Sequence, residues 1–256
     1  MAGGTQYVPG TPIWTDLSTT DMEGAKSFYG ALFGWEAEPV PNPEAGGYTM
    51  VSLGGKLVAG LGPVQTAGQP PAWLPYVATE DVDATMSAVK GSGGEPFFGP
   101  MDVFDTGRMG IFRDPGGAVL GLWQPRAMVG FELTDQPGSF TWFELNTPDV
   151  EAAKAFYGAV FGWVSKTSGE GREAYTEWKV GEKSIGGAMQ IGQQTPPDVP
   201  PHWLVYFAVD DVDQAASKAQ ELGASALIPP MDFPGGRFSV LRDPQGAVVA
   251  VLKLAN

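Results

Sequence analysis

The sequence predicts an α+β protein of four βαβββ modules, two in each half, with curved mixed sheets around two cavities. Three observations lead there. The phrase "AKSFYGALFGW", Ala25 to Trp35, returns as "AKAFYGAVFGW", Ala153 to Trp163. "WLPYVATEDVDA" from Trp73 returns as "WLVYFAVDDVDQ" from Trp203, and "GRMGIFRDPGGAVLGL" from Gly107 as "GRFSVLRDPQGAVVAV" from Gly236. Within each half, one strand, one helix and three strands then occur twice over. The repeat spacing is about 130 residues and drifts only slightly, which marks a tandem duplication rather than a solenoid.

Each element has a local reason. "TPIWTDLST" reads as the first strand. Ala25, Phe28, Tyr29, Leu32 and Phe33 then fall on one helical face. Thr19 and Thr147 stand where an N-cap is expected, and Pro148 suits the first helical position. Gly34 and Gly162 suit the helix stop. "WEAEPV", "YTMVSLGG" and "KLVAGLGPV" complete the first module as three strands. After the linker "QTAGQPP", strand "AWLPYVATE" and helix "DVDATMSAVKGSG" lead to "EPFFGPM", "GRMGIFRD" and "AVLGLWQ". The expected domains are 1–126, with modules at about 11–64 and 72–125, and 138–256, with modules at about 139–192 and 202–254.

Composition narrows the function. The chain has 256 residues, 43% hydrophobic and 17% charged, with Gly 36 and Pro 23, as suits a globular protein of short strands and tight turns. A formal charge of -14 repels phosphate backbones and anionic lipid, so neither nucleic acid nor membrane is expected as a partner. Cys 0 removes disulfides, thiolate ligands and cysteine nucleophiles. No apolar run of about 18 residues occurs, and "MAGGTQYVPG" lacks the pattern of a secretion signal, so a cytoplasmic location is expected.

The "FYGALFGW" and "RDPGGAVLGLW" motifs, placed on a strand–helix unit and a terminal hairpin, resemble the vicinal-oxygen-chelate superfamily. That superfamily holds glyoxalase I, bleomycin-resistance proteins and extradiol dioxygenases. The chain is similar to two-domain actinobacterial glyoxalase-like proteins, often labelled hydroxylases and including an accessory protein of anthracycline biosynthesis. The resemblance implies a divalent metal held by a His or Gln on the first strand and a Glu on the last. The first-strand positions here are Trp14, Leu74, Trp142 and Leu204. The last-strand positions are Gly121 and Ala250, and neither "KLVAGLGPV" nor "KSIGGAMQI" contains a carboxylate. No cofactor is therefore expected. The alternative is a divalent metal in an unusual set such as Asp16, Glu144 and His202.

Strand alternation puts Asp16 on the face of Trp14, and Glu144 and Asn146 on that of Trp142. Two readings stand for these carboxylates: hydrogen-bond acceptors or proton shuttles for a ligand, or partners of a buried Arg108 or Arg237. Trp14 and Trp142 read as flat walls for a planar ligand, or as filler for a cavity without metal. Tyr76 and Tyr206 share the inward parity, and Met101 and Met231 read as the cavity mouth or as loop packing. Trp73, Trp203, Tyr29 and Tyr157 read as core, and Arg113 and Arg242 as braces of the "RDP" turn. Asp16, Glu144 and His202 are the weak catalytic candidates. The expected function is metal-independent binding of an apolar or aromatic small molecule, for sequestration, drug tolerance or assistance to secondary metabolism. The alternative is a lyase or a hydroxylase/dioxygenase with a non-standard or lost metal site. A monomer with an internal pseudo-dimer is expected, and module pairing stays open.

Overall fold

The computed structural model describes residues 7–171, 174–192 and 199–255. The outer limits of the expected domains, 1 and 256, lie outside them. Module one runs β1 (Pro12–Thr19), α1 (Met22–Phe33), β2 (Glu36–Pro39), β3 (Thr49–Leu53) and β4 (Lys56–Pro63). Module two is β5 (Ala72–Ala78), α2 (Val82–Gly91), β6 (Glu95–Val103), β7 (Gly107–Arg113) and β8 (Val119–Pro125). Module three is β9 (Phe140–Thr147), α3 (Val150–Phe161), β10 (Val164–Ser168), β11 (Tyr175–Val180) and β12 (Lys183–Gln190). Module four is β13 (His202–Ala208), α4 (Val212–Glu221), β14 (Ser225–Phe233), β15 (Gly236–Arg242) and β16 (Val248–Leu254). The βαβββ order read from the sequence is present four times. No described helix is long and apolar enough to cross a membrane.

The strand order is β2-β3-β4-β1-β5-β8-β7-β6 in one sheet and β10-β11-β12-β9-β13-β16-β15-β14 in the other. In every module the helix carries the chain back, so the first strand lies parallel to the fourth. Asp16 stands opposite Gly60, Tyr76 opposite Gly121, Glu144 opposite Gly187, and Tyr206 opposite Ala250. The other neighbours within a module are antiparallel hairpins. By compactness the chain divides differently. One unit holds Pro75–Gly130, Trp142–Trp203 and the segment up to Trp14; the other holds Thr15–Leu74, Phe131–Thr141 and the chain from Leu204.

The repeated aromatic phrase builds the core of each unit. In the second unit, Tyr29 stacks on Trp35 at 5.5 Å and meets Trp73 edge-on at 5.4 Å. Its hydroxyl donates to the Asp243 carboxylate at 2.9 Å and accepts from Trp73 Nε1 at 2.9 Å. The first unit repeats the arrangement: Tyr157 donates to Asp114 at 2.8 Å and accepts from Trp203 Nε1 at 3.0 Å. The terminal tryptophans of the phrase donate to backbone carbonyls, Trp35 to Gly138 at 2.6 Å and Trp163 to Gly10 at 2.7 Å. Each of these tyrosine and indole tips thus has a partner, which full burial of such a ring requires. Burial, then the adjacent carboxylates, hold Tyr29 and Tyr157 protonated well above the ordinary phenol range. Burial also raises the Asp114 carboxyl, against the lowering by its hydrogen bonds to Tyr157 and the turn amides.

Three local readings are corrected. The N-caps are Asp21 and Asp149, which accept from Gly24 N and Ala152 N at 2.9 Å, and Pro148 stands outside the helix. Asp81 and Asp211 cap the other two helices in the same way. Thr19 and Thr147 sit two residues earlier, their hydroxyls accepting from the Asp21 and Asp149 amides. The αL stops at Gly34 and Gly162 are as expected, with φ of 78° and 68°. Within the helices, a Cβ at Gly30 would press on the Trp35 carbonyl at 3.2 Å, whereas one at Gly158 would lie 3.6 Å from the Trp163 carbonyl. The "RDP" turns are braced by Asp114, accepting from Ala118 N, and by Asp243, accepting from the amides of Gln245, Gly246 and Ala247. Arg113 instead meets Glu95 at 3.4 Å and lies over the Phe97 ring, and Arg242 is exposed.

Candidate ligand-binding faces

The sheet face opposite the helices carries most of the candidates. In module three β9 presents Trp142, Glu144 and Asn146 on this face, and the register adds Gly187 and Met189 from β12. Gly187 has no side chain because Tyr175, from the start of β11, lies across it: a Cβ there would overlap the phenol oxygen. Trp142 Nε1 donates to Tyr175 Oη at 3.0 Å, and Tyr175 is hydrogen-bonded to Glu144. Glu144 is 7% exposed. Burial, then the Glu144 charge, push the Tyr175 phenol far above its ordinary range, so it stays protonated.

Module one places the same kinds of residue at the corresponding positions. Tyr48 lies across Gly60, where a Cβ would overlap its hydroxyl, and reaches Asp16 at 3.4 Å. Asp16 is half-buried, and Trp14 is buried at the head of β1.

Modules two and four place the tyrosine on the first strand. The Tyr76 ring covers Gly121, and Tyr206 stands against Ala250. Both tyrosines are buried. Most of the rest of each face is apolar, with Arg113 and Arg242 at one end. In module four it runs from Tyr206 through Phe238 to Phe233, with ring centroids 6.4 Å and 5.8 Å apart. Met231 pairs with Phe238 and Ile228 with Val240. Met231 is 47% exposed, Phe233 39% and Ile228 37%. In module two, Met101 pairs with Met109 and Phe98 with Ile111, and both Met101 and Phe98 are exposed. The two methionines thus share the tyrosine-bearing face.

Three candidates go elsewhere. Arg108 alternates onto the helix side, where Nε meets Asp83 of α2 at 2.7 Å and Nη1 meets Asp102 at 3.1 Å. Arg237 does the same with Asp213 of α4 at 2.7 Å and Asp232 at 2.9 Å. Neither is the partner of Asp16 or Glu144, because the strand period of two turns them to the other face. Hydrogen bonds to Arg108 hold the Asp83 and Asp102 carboxyls below their ordinary range, and Arg237 does so for Asp213. His202 is half-buried, with Nδ1 2.9 Å from the Pro200 carbonyl. Two open surface pockets, one at Leu32, Gly138 and Lys218 and one at Glu151, Lys154 and Gln190, lie away from all these residues.

Sequence reasoning missed Tyr48, Tyr175, Phe98, Ile228, Phe233 and Phe238. The tyrosines carry a signal: each opens a strand as Tyr-Thr at corresponding places in the repeat, ahead of a Gly in the next strand.

Whether a divalent metal fits can be tested on these faces. Among the described residues no group of three or more His, Asp or Glu could hold a metal ion. The last-strand positions that the resemblance assigns to a carboxylate hold Ala250 in module four, opposite Tyr206, and Gly121 in module two; Gly60 and Gly187 stand opposite the first strand in modules one and three, and a tyrosine covers each of the three glycines. A glutamate in place of any of these glycines would collide with the ring already there. The residues present do not fit the metal centre of metal-dependent relatives.

Paired βαβββ modules with the first strand parallel to the fourth define a glyoxalase-like protein. A sequence profile of the Glyoxalase/Bleomycin resistance protein/Dioxygenase superfamily matches residues 12–122 and 139–251, and the chain belongs to that superfamily. It is 43% identical over 261 residues to "Putative glyoxylase CFP32" of Mycobacterium tuberculosis, covering 100% of this chain and 99% of the relative. It is 40% identical over 264 residues to the anthracycline biosynthesis protein DnrV of Streptomyces peucetius, covering 98% and 95%. Two solved structures share the fold. The 2,3-dioxygenase LapB from Pseudomonas sp. KL28 has a TM-score of 0.66 at 12% identity, covering 96% of this chain and 93% of that one. The Mn(II)-bound glyoxalase from Novosphingobium aromaticivorans has a TM-score of 0.65 at 17% identity, covering 95% and 82%.

Proposed function

We propose that this is a metal-independent small-molecule-binding protein of the glyoxalase/bleomycin-resistance type, acting on an apolar or aromatic ligand. One observation carries the reading: tyrosines cover Gly60, Gly121 and Gly187, each opposite the first strand of its module, and Gly121 is a position where the resemblance calls for a metal carboxylate. The exposed Ile228, Met231 and Phe233, beside Phe238, supply apolar area that a planar ligand would remove from water. Trp142, Tyr76, Tyr206, Met101 and Met231 serve as ring and apolar contacts, and Asp16, Glu144 and Asn146 as polar ones. The name of the relative DnrV supports an accessory role in secondary metabolism, because a fused-ring natural product suits such a wall. Sequestration is the same chemistry without a downstream enzyme. The protein works as a monomer, since the duplication supplies internally the module pairing that a single copy gains by dimerising.

Titration of a panel of planar aromatic ligands, followed by tryptophan fluorescence, tests this. Saturable binding to chelator-treated protein supports it. Absence of binding across the panel, with loss of a defined activity on substitution of Asp16 or Glu144, overturns it. The name "glyoxylase" on a relative and the fold shared with dioxygenases favour an enzyme as the second reading. That reading requires a stoichiometric metal, and metal analysis of untagged protein separates the two.

A further inference from the structure

We propose that the module-four face takes an aromatic carboxylate, with Arg242 holding the carboxylate and the apolar wall holding the rings. This deepens the binding function above and rests on it. The starting point is an arginine left without an acidic partner. Of the described arginines, Arg108, Arg113, Arg126 and Arg237 each meet an aspartate or a glutamate. The exposed Arg242 side chain has no ion pair or hydrogen bond among the described residues. Acid is not scarce, since the chain has Lys+Arg 15 against Asp+Glu 29.

Module two shows what fills the corresponding place. Arg113 is the repeat of Arg242 in the "RDP" motif. Its Nη1 meets Glu95 at 3.4 Å, and its guanidinium lies 5.2 Å from the centre of the Phe97 ring. Glu95 stands opposite Arg113 in the ladder, whereas Ser225 stands opposite Arg242. Leu227 takes the place of Phe97. Module four has thus lost both the carboxylate and the ring that occupy the arginine in module two.

Strand geometry aims the free guanidinium along the apolar face. Arg237 turns to α4, and β15 pairs with β16 without a break from Gly236 to Arg242. The period of two therefore puts Phe238, Val240 and Arg242 together on the opposite face. Phe238 lies four residues from Arg242, about 13 Å along the strand. Ile228 and Met231 flank that path from β14, opposite Val240 and Phe238. A ligand whose rings cover this path brings its head group to Arg242. A carboxylate suits the planar guanidinium fork, which can donate to both of its oxygens. Its single charge also matches a single cation, whereas a phosphate dianion would add uncompensated charge to a chain already at -14.

Calorimetric titration of the full chain with biphenyl-4-carboxylate and biphenyl-4-carboxamide tests the assignment, since the two share their rings and differ in head-group charge. The expected result is the carboxylate binding about fivefold more tightly, the upper scale of a partly exposed ion pair. Arg242→Gln should bring the carboxylate to within about twofold of the carboxamide, which a merely structural role would not do. Ser225→Glu, which gives Arg242 the partner that Arg113 has, should have the same effect. Arg113→Gln should leave the preference intact. Equal affinity for the two probes overturns the inference while the binding function stands. So does a preference that survives in Arg242→Gln or Ser225→Glu, or that disappears in Arg113→Gln. Failure of both probes to bind overturns the binding function, and this inference with it.

Discussion

Modules one and three solve the same packing problem differently from modules two and four. In all four, the fourth strand carries a glycine or alanine opposite the first strand: Gly60, Gly121, Gly187 and Ala250. Modules two and four set the tyrosine on the first strand itself, and the Gly121 position meets the Tyr76 ring at its base. Modules one and three put a carboxylate on the first strand and bring the tyrosine in from the start of the third, so Gly60 and Gly187 meet its hydroxyl end, Oη and Cζ, first. The difference shows that one scaffold position can be filled by the base of a first-strand ring or by the tip of a ring reaching in from another strand. Only the second arrangement leaves a carboxylate on the face.

That contrast can be broken at the glycines. Gly121→Ala should cost the most, about 2 kcal/mol, because the Tyr76 ring near its Cβ cannot swing aside. Urea unfolding midpoints measure it. Tyr175→Phe should cost about 1.5 kcal/mol by the same assay, since it takes the acceptor from the part-buried Trp142 N–H contact and removes one hydrogen bond to Glu144. Gly187→Ala and Gly60→Ala should each cost about 1 kcal/mol, as the phenol tip moves away. Tyr48→Phe should cost less than about 0.5 kcal/mol, because a 3.4 Å contact is weak. Equal losses for Tyr48→Phe and Tyr175→Phe would erase the distinction between modules one and three.

A pH titration sharpens it further. Tyr29, Tyr157 and Tyr175 are all raised above the ordinary phenol value of 10.0, chiefly by burial. A raised folded value means the native state holds its protons more tightly than the unfolded chain. Stability from these groups is then complete below pH 10 and declines as pH rises beyond it. Phenolate absorbance should therefore stay incomplete until the protein unfolds, and Tyr175→Phe should remove one phenol from the part released on unfolding.

Much of the scaffold was legible because periodicity and repetition are local signals. The helix face of Phe28 and Tyr29 and the stops at Gly34 and Gly162 follow from spacing alone, and the inward side of Tyr76 and Tyr206 from alternation with Leu74 and Leu204, which the family resemblance places inward. The caps were misplaced because Thr19 and Asp21 are both good caps, and only the backbone decides where the helix begins. The Tyr29–Asp243 bond was invisible for another reason: it joins residues 214 positions apart. Arg108 and Arg237 were misjudged because a lone arginine on a strand says nothing about which face holds its carboxylate. The polar face was half legible. Glu144 was found by alternation, but its partner Tyr175 comes from a strand whose register no local pattern supplies.

The central claim is that binding needs no metal. Calorimetric titration of 1-naphthol into untagged protein, first stripped with chelator and then supplied with stoichiometric Mn(II), Fe(II), Ni(II) or Zn(II), tests it most directly. The account predicts the same affinity in every case and no retained metal after dialysis. A tightly retained ion at one per chain, or ligand binding seen only when one metal is present, would contradict it.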